Sequence, residues 1–181
     1  PDRIRLPVRR ELRRRRRQRH AGRRRPYQAA YSAVNVNLAT GIASDGYGST
    51  DTLRNIEGVR GGSSGDVLTG GNAANDELEF FLGNGGSDTT DGGRGFDRVD
   101  YHNSHAAVTV TLGGTAQGRA VDNYGYAGHD VLIDIEGVRG STFDDTLTGS
   151  DSGAFESFEG RAGNDIIDGR GGIDRADYVS A

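Results

Sequence analysis

Hydrophobic and polar residues alternate in two matching stretches of the chain, AVNVNL at 33–38 and AVTVTL at 107–112. Successive side chains of an extended chain point to opposite faces, so Val34, Val36 and Leu38 share one face. The second stretch has the same arrangement. The pattern predicts two half-buried β-strands, each with one apolar face.

Short apolar runs between glycines predict many further strands of two or three residues. After residue 26, glycine recurs too often for a stable helix, and the sequence shows no 3.6-residue apolar spacing. The chain is therefore predicted to be all-β. The expected centres of the short strands are Leu53, Ile56, Leu68, Phe81, Thr90 and Val99, followed by Leu132, Ile135, Leu147, Phe158, Ile167 and Ala176.

The predicted strands belong to a long internal repeat. DTLRNIEGVRG at 51–61 matches DVLIDIEGVRG at 130–140, and DVLTG at 66–70 matches DTLTG at 145–149, with 79 residues between the members of each pair. A long repeat of this kind indicates an architecture in which neighbouring copies stack on each other. We predict three segments: residues 1–26, a first copy at 27–101 and a second copy at 102–181.

Composition limits how this chain can be stabilised. Hydrophobic residues make up 33% of the chain and 30 of its 181 residues are glycine, so little apolar side-chain surface can be buried per residue. Cysteine is absent, which excludes disulfides and thiolate ligands. We therefore expect a metal or a stacked repeat to replace part of the usual apolar core. No apolar run has the length of about 18 residues that a membrane helix needs.

Charge divides the chain into two parts. Residues 1–25 hold 13 arginines against Asp2 and Glu11, whereas the rest of the chain holds 24 acids against 9 arginines. Like charges at this density repel, so we expect the basic segment to be disordered. It is either a leader without function, such as a stretch outside the natural reading frame, or a tail that binds polyanions weakly. The negative charge of the remainder opposes compaction.

Two pairs of nine-residue units carry the candidate chemistry. Residues 83–91 and 92–100 read GNGGSDTTD and GGRGFDRVD, and residues 160–168 and 169–177 read GRAGNDIID and GRGGIDRAD. Each unit has glycines among its first four places, Asp at the sixth and a strand-like tail. Glycine permits tight turns in which backbone carbonyl oxygens point inward.

These units resemble the nonapeptide G-G-x-G-x-D-x-U-x, with U apolar, of hemolysin-type (RTX) calcium-binding repeat proteins. The resemblance covers about residues 31–178. It implies a right-handed parallel β-roll or β-helix built from glycine-rich nonapeptide repeats. It also implies that Ca²⁺ lies between stacked turns, where backbone carbonyls and the sixth-place Asp supply the six to eight oxygens that the ion needs.

In such a fold successive units lie on alternate sides, so loops two units apart stack. This predicts four pairs: 61–66 with 83–88, the loop from Gly70 with 92–97, 140–145 with 160–165, and the loop from Gly149 with 169–174. The pair that contains Asp145 and Asp165 is expected to form the best site. The residues that the resemblance assigns to calcium are Asp66, Gly83, Gly85, Asp88, Gly92, Gly95, Asp97, Asp145, Gly160, Gly163, Asp165, Gly169, Gly171 and Asp174.

The resemblance further implies a structural module of a secreted bacterial protein, which folds on binding Ca²⁺ outside the cell after type I secretion. We expect no catalytic activity, because the G-x-S-x-G match at 61–65 falls in a repeat loop and the histidines lack a zinc-protease spacing. Two alternatives stay open. The chain is the non-catalytic repeat region of a secreted protease, lipase or polysaccharide epimerase, or it belongs to an adhesin that binds extracellular polysaccharide or a cell surface.

Overall fold

A computed structural model describes residues 32–72, 78–122 and 129–179, and these residues form sixteen β-strands and no helix. The basic segment predicted at 1–26 lies outside the described residues. The strands are β1 (Asn35–Asn37), β2 (Ile42–Ser44), β3 (Thr50–Thr52), β4 (Gly58–Arg60), β5 (Val67–Thr69), β6 (Leu78–Leu82), β7 (Thr89–Asp91), β8 (Phe96–Asp100), β9 (Val108–Thr111), β10 (Gly118–Asp122), β11 (His129–Ile133), β12 (Gly137–Arg139), β13 (Thr146–Thr148), β14 (Phe155–Glu159), β15 (Ile166–Asp168) and β16 (Ile173–Ala176).

The strands form two sheets between which the chain alternates. The ten-stranded sheet has the order β15-β13-β9-β10-β11-β7-β5-β1-β2-β3, and the six-stranded sheet has the order β16-β14-β12-β8-β6-β4. All pairings in the six-stranded sheet are parallel. The prediction of an all-β fold is confirmed, and the two parallel-rich sheets of short strands are consistent with a β-roll or β-helix.

Antiparallel pairings occur at two places that the sequence analysis did not identify. Strands β1, β2 and β3 form a meander, and β9, β10 and β11 form a second one. The sequence analysis predicted no strand centre within β2, β3 or β10, because these segments lack a strong apolar alternation, whereas Leu132 in β11 is a predicted strand centre. Each meander adds two strands to the ten-stranded sheet before the chain crosses to the six-stranded sheet.

The two halves of the chain contribute equally to both sheets. Strands β1–β8 and β9–β16 follow the same order, with five strands of each set in the ten-stranded sheet and three in the six-stranded sheet. The sets meet where β7 pairs with β11 and β8 pairs with β12, both in parallel. The two sets therefore stack end to end, in the order expected of the sequence repeat.

The core is a thin layer between the sheets, formed mainly by one apolar residue from each short strand. Leu68, Phe81, Val99, Leu147 and Phe158 are all buried, as the sequence predicted. The alternating strands are also confirmed, since their apolar faces enter the same core. This arrangement buries a single row of side chains per sheet, which explains how a chain with so much glycine has an apolar interior.

Four predicted strand centres differ from the structure, and one of them, Ile135, is buried but lies between β11 and β12. Leu53 and Ile56 lie in the turn between β3 and β4, where Ile56 is 42% exposed. Ala176 lies in β16 but is exposed, because β16 is the edge strand of its sheet. Thr90, a poor apolar residue by type, is buried beside Leu68 in the register of β5 and β7.

Candidate metal centre in the stacked turns

The turns between strands lie in two rows. We call the turns that lead into the ten-stranded sheet edge 1 and those that lead into the six-stranded sheet edge 2. Edge 1 contains residues 61–66, 83–88, 140–145 and 160–165. Edge 2 contains the turns that follow β3, β5, β7, β11, β13 and β15. Every unit of the repeat therefore contributes its carboxylate to one of the two rows.

The predicted pairing of loops on edge 1 is confirmed. The Asp66 N–H donates to Asp88 Oδ1 at 2.8 Å, and the Asp145 N–H donates to Asp165 Oδ1 at 2.9 Å. These hydrogen bonds join turns that are two units apart in sequence. The carboxylate of one turn thus accepts a hydrogen bond from the backbone of the next.

The pairing on edge 2 is confirmed by backbone hydrogen bonds. The Gly70 N–H donates to Asp91 O, and the Gly149 N–H donates to Asp168 O, both at 2.7 Å. Each acceptor directly precedes the first glycine of the stacked unit. The turns are therefore in backbone contact, with no side chain between them at this point.

The first glycine of each unit makes room for the aspartate of that unit. A Cβ atom on Gly83 would lie 2.8 Å from Asp88 Cγ, well inside van der Waals contact. The same arrangement recurs at Gly92, Gly160 and Gly169. The carboxylate folds back over its own turn, and only glycine fits beneath it.

The other predicted glycines shape the turn. Gly95 and Gly163, at the fourth place, have φ values of 129° and 122°, which L-residues rarely adopt. Gly85 and Gly171, at the third place, donate their N–H groups to carbonyls of the stacked turn, at 3.4 and 3.1 Å. The glycines therefore position the backbone of the turn.

The second place of the unit has a left-handed backbone even where glycine is missing. Asn84, Arg161 and Arg170 have φ values of 67°, 76° and 60°. Asparagine tolerates this conformation, but arginine is strained in it by about 1–2 kcal/mol.

We expect Arg170→Gly to raise the free energy of unfolding by about 0.5–1 kcal/mol, because relief of backbone strain exceeds the added flexibility of the unfolded chain. The side chain contributes little, since its nearest acid, Asp151, is 3.9 Å away and both are exposed. Urea unfolding at fixed calcium concentration measures the change. Arg60→Gly, in the extended strand β4, is the matched control and should lower stability. Equal losses of stability in Arg170→Gly and Arg60→Gly would show that the backbone at Arg170 is not strained.

Two of the aspartates on edge 1 are satisfied by the protein itself. Asp66 accepts hydrogen bonds from the N–H groups of Val34 (2.8 Å) and Gly62 (2.5 Å). Asp145 accepts from the N–H groups of Val108 (2.9 Å) and Ser141 (2.6 Å). Both carboxylates act as acceptors for backbone donors, which lowers their need for a cation.

Asp88 differs from these two. Like them it is buried, but its Oδ2 atom accepts no hydrogen bond from the described residues. Burial raises the pKa of Asp88 to about 7, against the hydrogen bond from the Asp66 N–H, which lowers it. The nearby carboxylates of Asp130 and Asp66 raise the pKa further. Near neutral pH this group needs either a proton or a cation.

Edge 2 carries a column of carboxylates, with one carboxylate for each strand of the six-stranded sheet. The strand register places Glu79 beside Asp97 and Glu156 beside Asp174. The pairings of β12 place Glu136, which directly precedes it, between Asp97 and Glu156. Neighbouring parallel strands are about 4.8 Å apart. The full column consists of Glu57, Glu79, Asp97, Glu136, Glu156 and Asp174.

The sequence analysis identified Asp97 and Asp174 but missed the glutamates of this column. Glu79 and Glu156 belong to the longer units 70–82 and 149–159, in which counting from the first glycine fails. A different signal would have found them. Each acid stands two residues before a strand centre, as Glu79 does before Phe81. Counting back from the strand gives the correct register.

Among the carboxylates of the column, Asp97 has the greatest need for a proton or a cation. It is fully buried, and neither of its carboxylate oxygens accepts a hydrogen bond from the described residues. Burial raises the pKa of Asp97 to about 8, and the carboxylates of Glu79 and Glu136 act in the same direction. A buried carboxylate without partners is costly unless it is protonated or bound to a cation.

The glutamates beside it are partly satisfied. Glu79 Oε2 accepts from the Gly71 N–H at 2.7 Å, and Glu136 Oε2 accepts from the Asp97 N–H at 3.0 Å. Burial also raises the pKa of Glu136. The sequence favoured the pair of Asp145 and Asp165, whereas the structure places the most strongly unpartnered carboxylate at Asp97.

Carboxylates alone do not form a metal-binding group here. Within residues 32–72, 78–122 and 129–179, no three His, Cys, Asp or Glu side chains come together as such a group. Further oxygens on edge 2 would have to come from the turns, where the carbonyl of Gly92 faces Gly70 and that of Gly169 faces Gly149. The available donors are therefore carbonyl and carboxylate oxygens.

Comparison with protein-family models gives no match, and no characterised protein matches the sequence. The likeness to hemolysin-type repeats depends on the motif residues alone. None of the described residues forms a helix long and apolar enough to cross a membrane.

Proposed function

We propose that this protein binds Ca²⁺ between its stacked turns and that the bound ions stabilise its fold. The observation that supports this most is the carboxylate column of edge 2, in which Asp97 is buried with both oxygens unpartnered among the described residues. Carboxylates spaced by one strand repel each other unless protons or cations neutralise them. A divalent cation neutralises two of them at once.

The donor atoms favour calcium over other metals. The turns offer carbonyl and carboxylate oxygens, which hard cations prefer, and the chain has no cysteine for softer ions. Ca²⁺ accepts irregular sets of six to eight oxygens, whereas Mg²⁺ requires near-ideal octahedral geometry and keeps its water. On edge 2 we assign the ion to Asp97, with Glu79, Glu136 and turn carbonyls as neighbours. On edge 1 we assign it to Asp88.

The other predicted ligands differ in whether their carboxylate oxygens already accept hydrogen bonds or are available to a cation. Asp66 and Asp145 already accept backbone hydrogen bonds through both oxygens. Asp174 resembles Asp97, because its Oδ1 atom is buried and accepts no hydrogen bond from the described residues. We therefore propose strong sites at Asp97 and Asp88 and weaker ones elsewhere.

The biological role that follows is structural. We propose a right-handed β-roll of the hemolysin type, secreted and folding in the calcium-rich extracellular medium, with no catalytic activity of its own. The acidic charge of residues 26–181 and the shortage of apolar residues support this, since both disfavour folding without a bound cation. A host enzyme or adhesin, if one is attached, would supply any further activity.

Calcium titration by isothermal calorimetry tests the proposal. We expect saturable binding by the wild-type protein and a loss of about tenfold or more in affinity at one site in Asp97→Asn, because the amide carries no charge. Asp45→Asn is the matched control. It removes the same charge from an exposed hairpin turn, where Asp45 accepts hydrogen bonds from Tyr47 and Ser49.

Identical heats for both variants and the wild type would show that Asp97 holds no calcium. Absence of saturable heat in the wild-type protein would refute calcium binding altogether.

A further inference from the structure

The boundary between the two halves of the chain shows what one end of the fold can bind. Strand β11 pairs with β7, and the Val131 N–H donates to Asp88 O at 2.8 Å. Strand β12 pairs with β8, and the Tyr101 N–H donates to Arg139 O at 2.8 Å. Both sheets are thus continuous across this boundary.

Side chains reinforce the same boundary. The Asp88 N–H donates to Asp130 Oδ1 at 3.0 Å, and the Asp97 N–H donates to Glu136 Oε2 at 3.0 Å. The Tyr101 hydroxyl donates to Asp130 Oδ2 at 3.2 Å. Acids of the second half therefore accept hydrogen bonds from two backbone N–H groups and from the Tyr101 hydroxyl of the first half.

The two ends of the stack carry counterparts of the residues that pair at the internal boundary. At the ends, no described strand pairs with them. At the leading end, β3 and β4 are the edge strands, and Asp51 and Glu57 occupy the places of Asp130 and Glu136. At the trailing end, β15 and β16 are the edge strands. There Asp165, Asp174 and Tyr178 occupy the places of Asp88, Asp97 and Tyr101.

Side-chain exposure follows the same equivalence. Ile135 is 3% exposed at the internal boundary, whereas its counterpart Ile56 at the leading end is 42% exposed. Val99 is 3% exposed, whereas its counterpart Ala176 at the trailing end is exposed. Each end therefore presents to solvent a surface that the internal boundary buries.

We infer that the trailing end of one molecule binds the leading end of a second copy of this chain, in the geometry of the internal boundary. Strand β15 of one molecule then pairs with β3 of the next, and β16 pairs with β4. The contact joins two different surfaces related by a shift along the stack. Such a heterologous contact does not close, so it produces open-ended chains of molecules.

Complementary blocked variants test this inference. Ile56→Lys places a charge on the leading end, and Ala176→Lys places one on the trailing end. Both positions are exposed in the single molecule, so each variant should fold. Ile42→Arg is the matched control: Ile42 is 45% exposed in β2, one strand in from the edge strand β3. Arg119 occupies the equivalent place in β10, one strand in from the internal boundary, so an arginine at this place is compatible with the contact.

Sedimentation velocity of the full chain, under conditions where circular dichroism shows folded protein, measures the association. We expect the wild type and Ile42→Arg to form dimers, trimers and longer chains as concentration rises to about 1 mM. Each blocked variant alone should remain monomeric. An equimolar mixture of the two should give dimers and nothing larger. Only the trailing end of Ile56→Lys and the leading end of Ala176→Lys are unblocked, and these two ends can pair once.

A monomeric wild type over this range would overturn the inference. Association of either blocked variant alone would show that another surface is responsible and would also overturn it. If the wild type is monomeric and Ile56→Lys lowers its melting temperature, a segment of the same chain covers the leading end. Because only folded protein is compared, failure here is distinct from failure of calcium binding.

Discussion

Removal of calcium with EDTA at neutral pH is expected to unfold most of residues 32–179 or to lower their melting temperature sharply. An ion present at about 100 times its dissociation constant contributes about 2.7 kcal/mol to the free energy of unfolding. For a chain of this size, each such ion is worth about 5–10 °C in melting temperature. Two or three ions are then comparable to the whole stability of a typical domain.

Far-UV circular dichroism measures this effect, with spectra and melting curves recorded in EDTA and again after excess Ca²⁺ is added. Restoration of the β spectrum by Ca²⁺ but not by equal Mg²⁺ would separate specific binding from general charge screening. A β spectrum and melting temperature that EDTA leaves unchanged would show that the turns are stable without the ion. The carboxylates of edge 2 would then have to be protonated.

Gly92→Ala is expected to destabilise the protein by about 3 kcal/mol, the upper part of the range for overpacked sites. Its new Cβ atom would lie 2.6 Å from Asp97 Cβ and closer still to the carbonyl oxygen of Asp134. The Asp134 carbonyl belongs to the backbone of the next turn, so it cannot move aside as a flexible side chain would. The stacked turns of edge 2 would have to separate.

Gly153→Ala is the matched control for this variant. No heavy atom of the described residues lies within 4 Å of the Cβ it would add, and its φ is not positive. Its stability should stay unchanged or rise slightly, because alanine restricts the unfolded chain. Urea unfolding of both variants at fixed calcium concentration measures the difference. Equal stabilities would show that the turns of edge 2 are loosely packed.

The two edges stabilise the fold in different ways. On edge 1, Asp66 and Asp145 each accept one hydrogen bond from their own turn and one from a neighbouring segment, at Val34 or Val108, and these contacts form without an ion. On edge 2, the column around Asp97 brings like charges together and leaves oxygens unpartnered among the described residues. The repeated fold thus combines turns on edge 1 that hydrogen bonds satisfy, apart from Asp88, with a column on edge 2 that requires protons or cations.

The sequence by itself determined the class of fold, the order of the repeat and the pairing of its loops. Alternation at Val34, Val36 and Leu38 and the spacing of Gly–Asp units are local patterns, and local backbone preferences are enough to produce them. For the same reason the aspartates at the sixth place could be identified without a structure.

Only the tertiary structure decided which carboxylates are left without partners. Strand register places Glu79, Glu136 and Glu156 in the column, and for Glu79 and Glu156 the longer units hide this from a count that starts at the first glycine. Strands β2, β3 and β10 of the meanders were also decided by pairing with their neighbours, because their own sequence patterns are weak. Whether Asp145 or Asp97 most needs a cation depends on which backbone N–H groups reach each carboxylate, and only stacking of the turns places those groups.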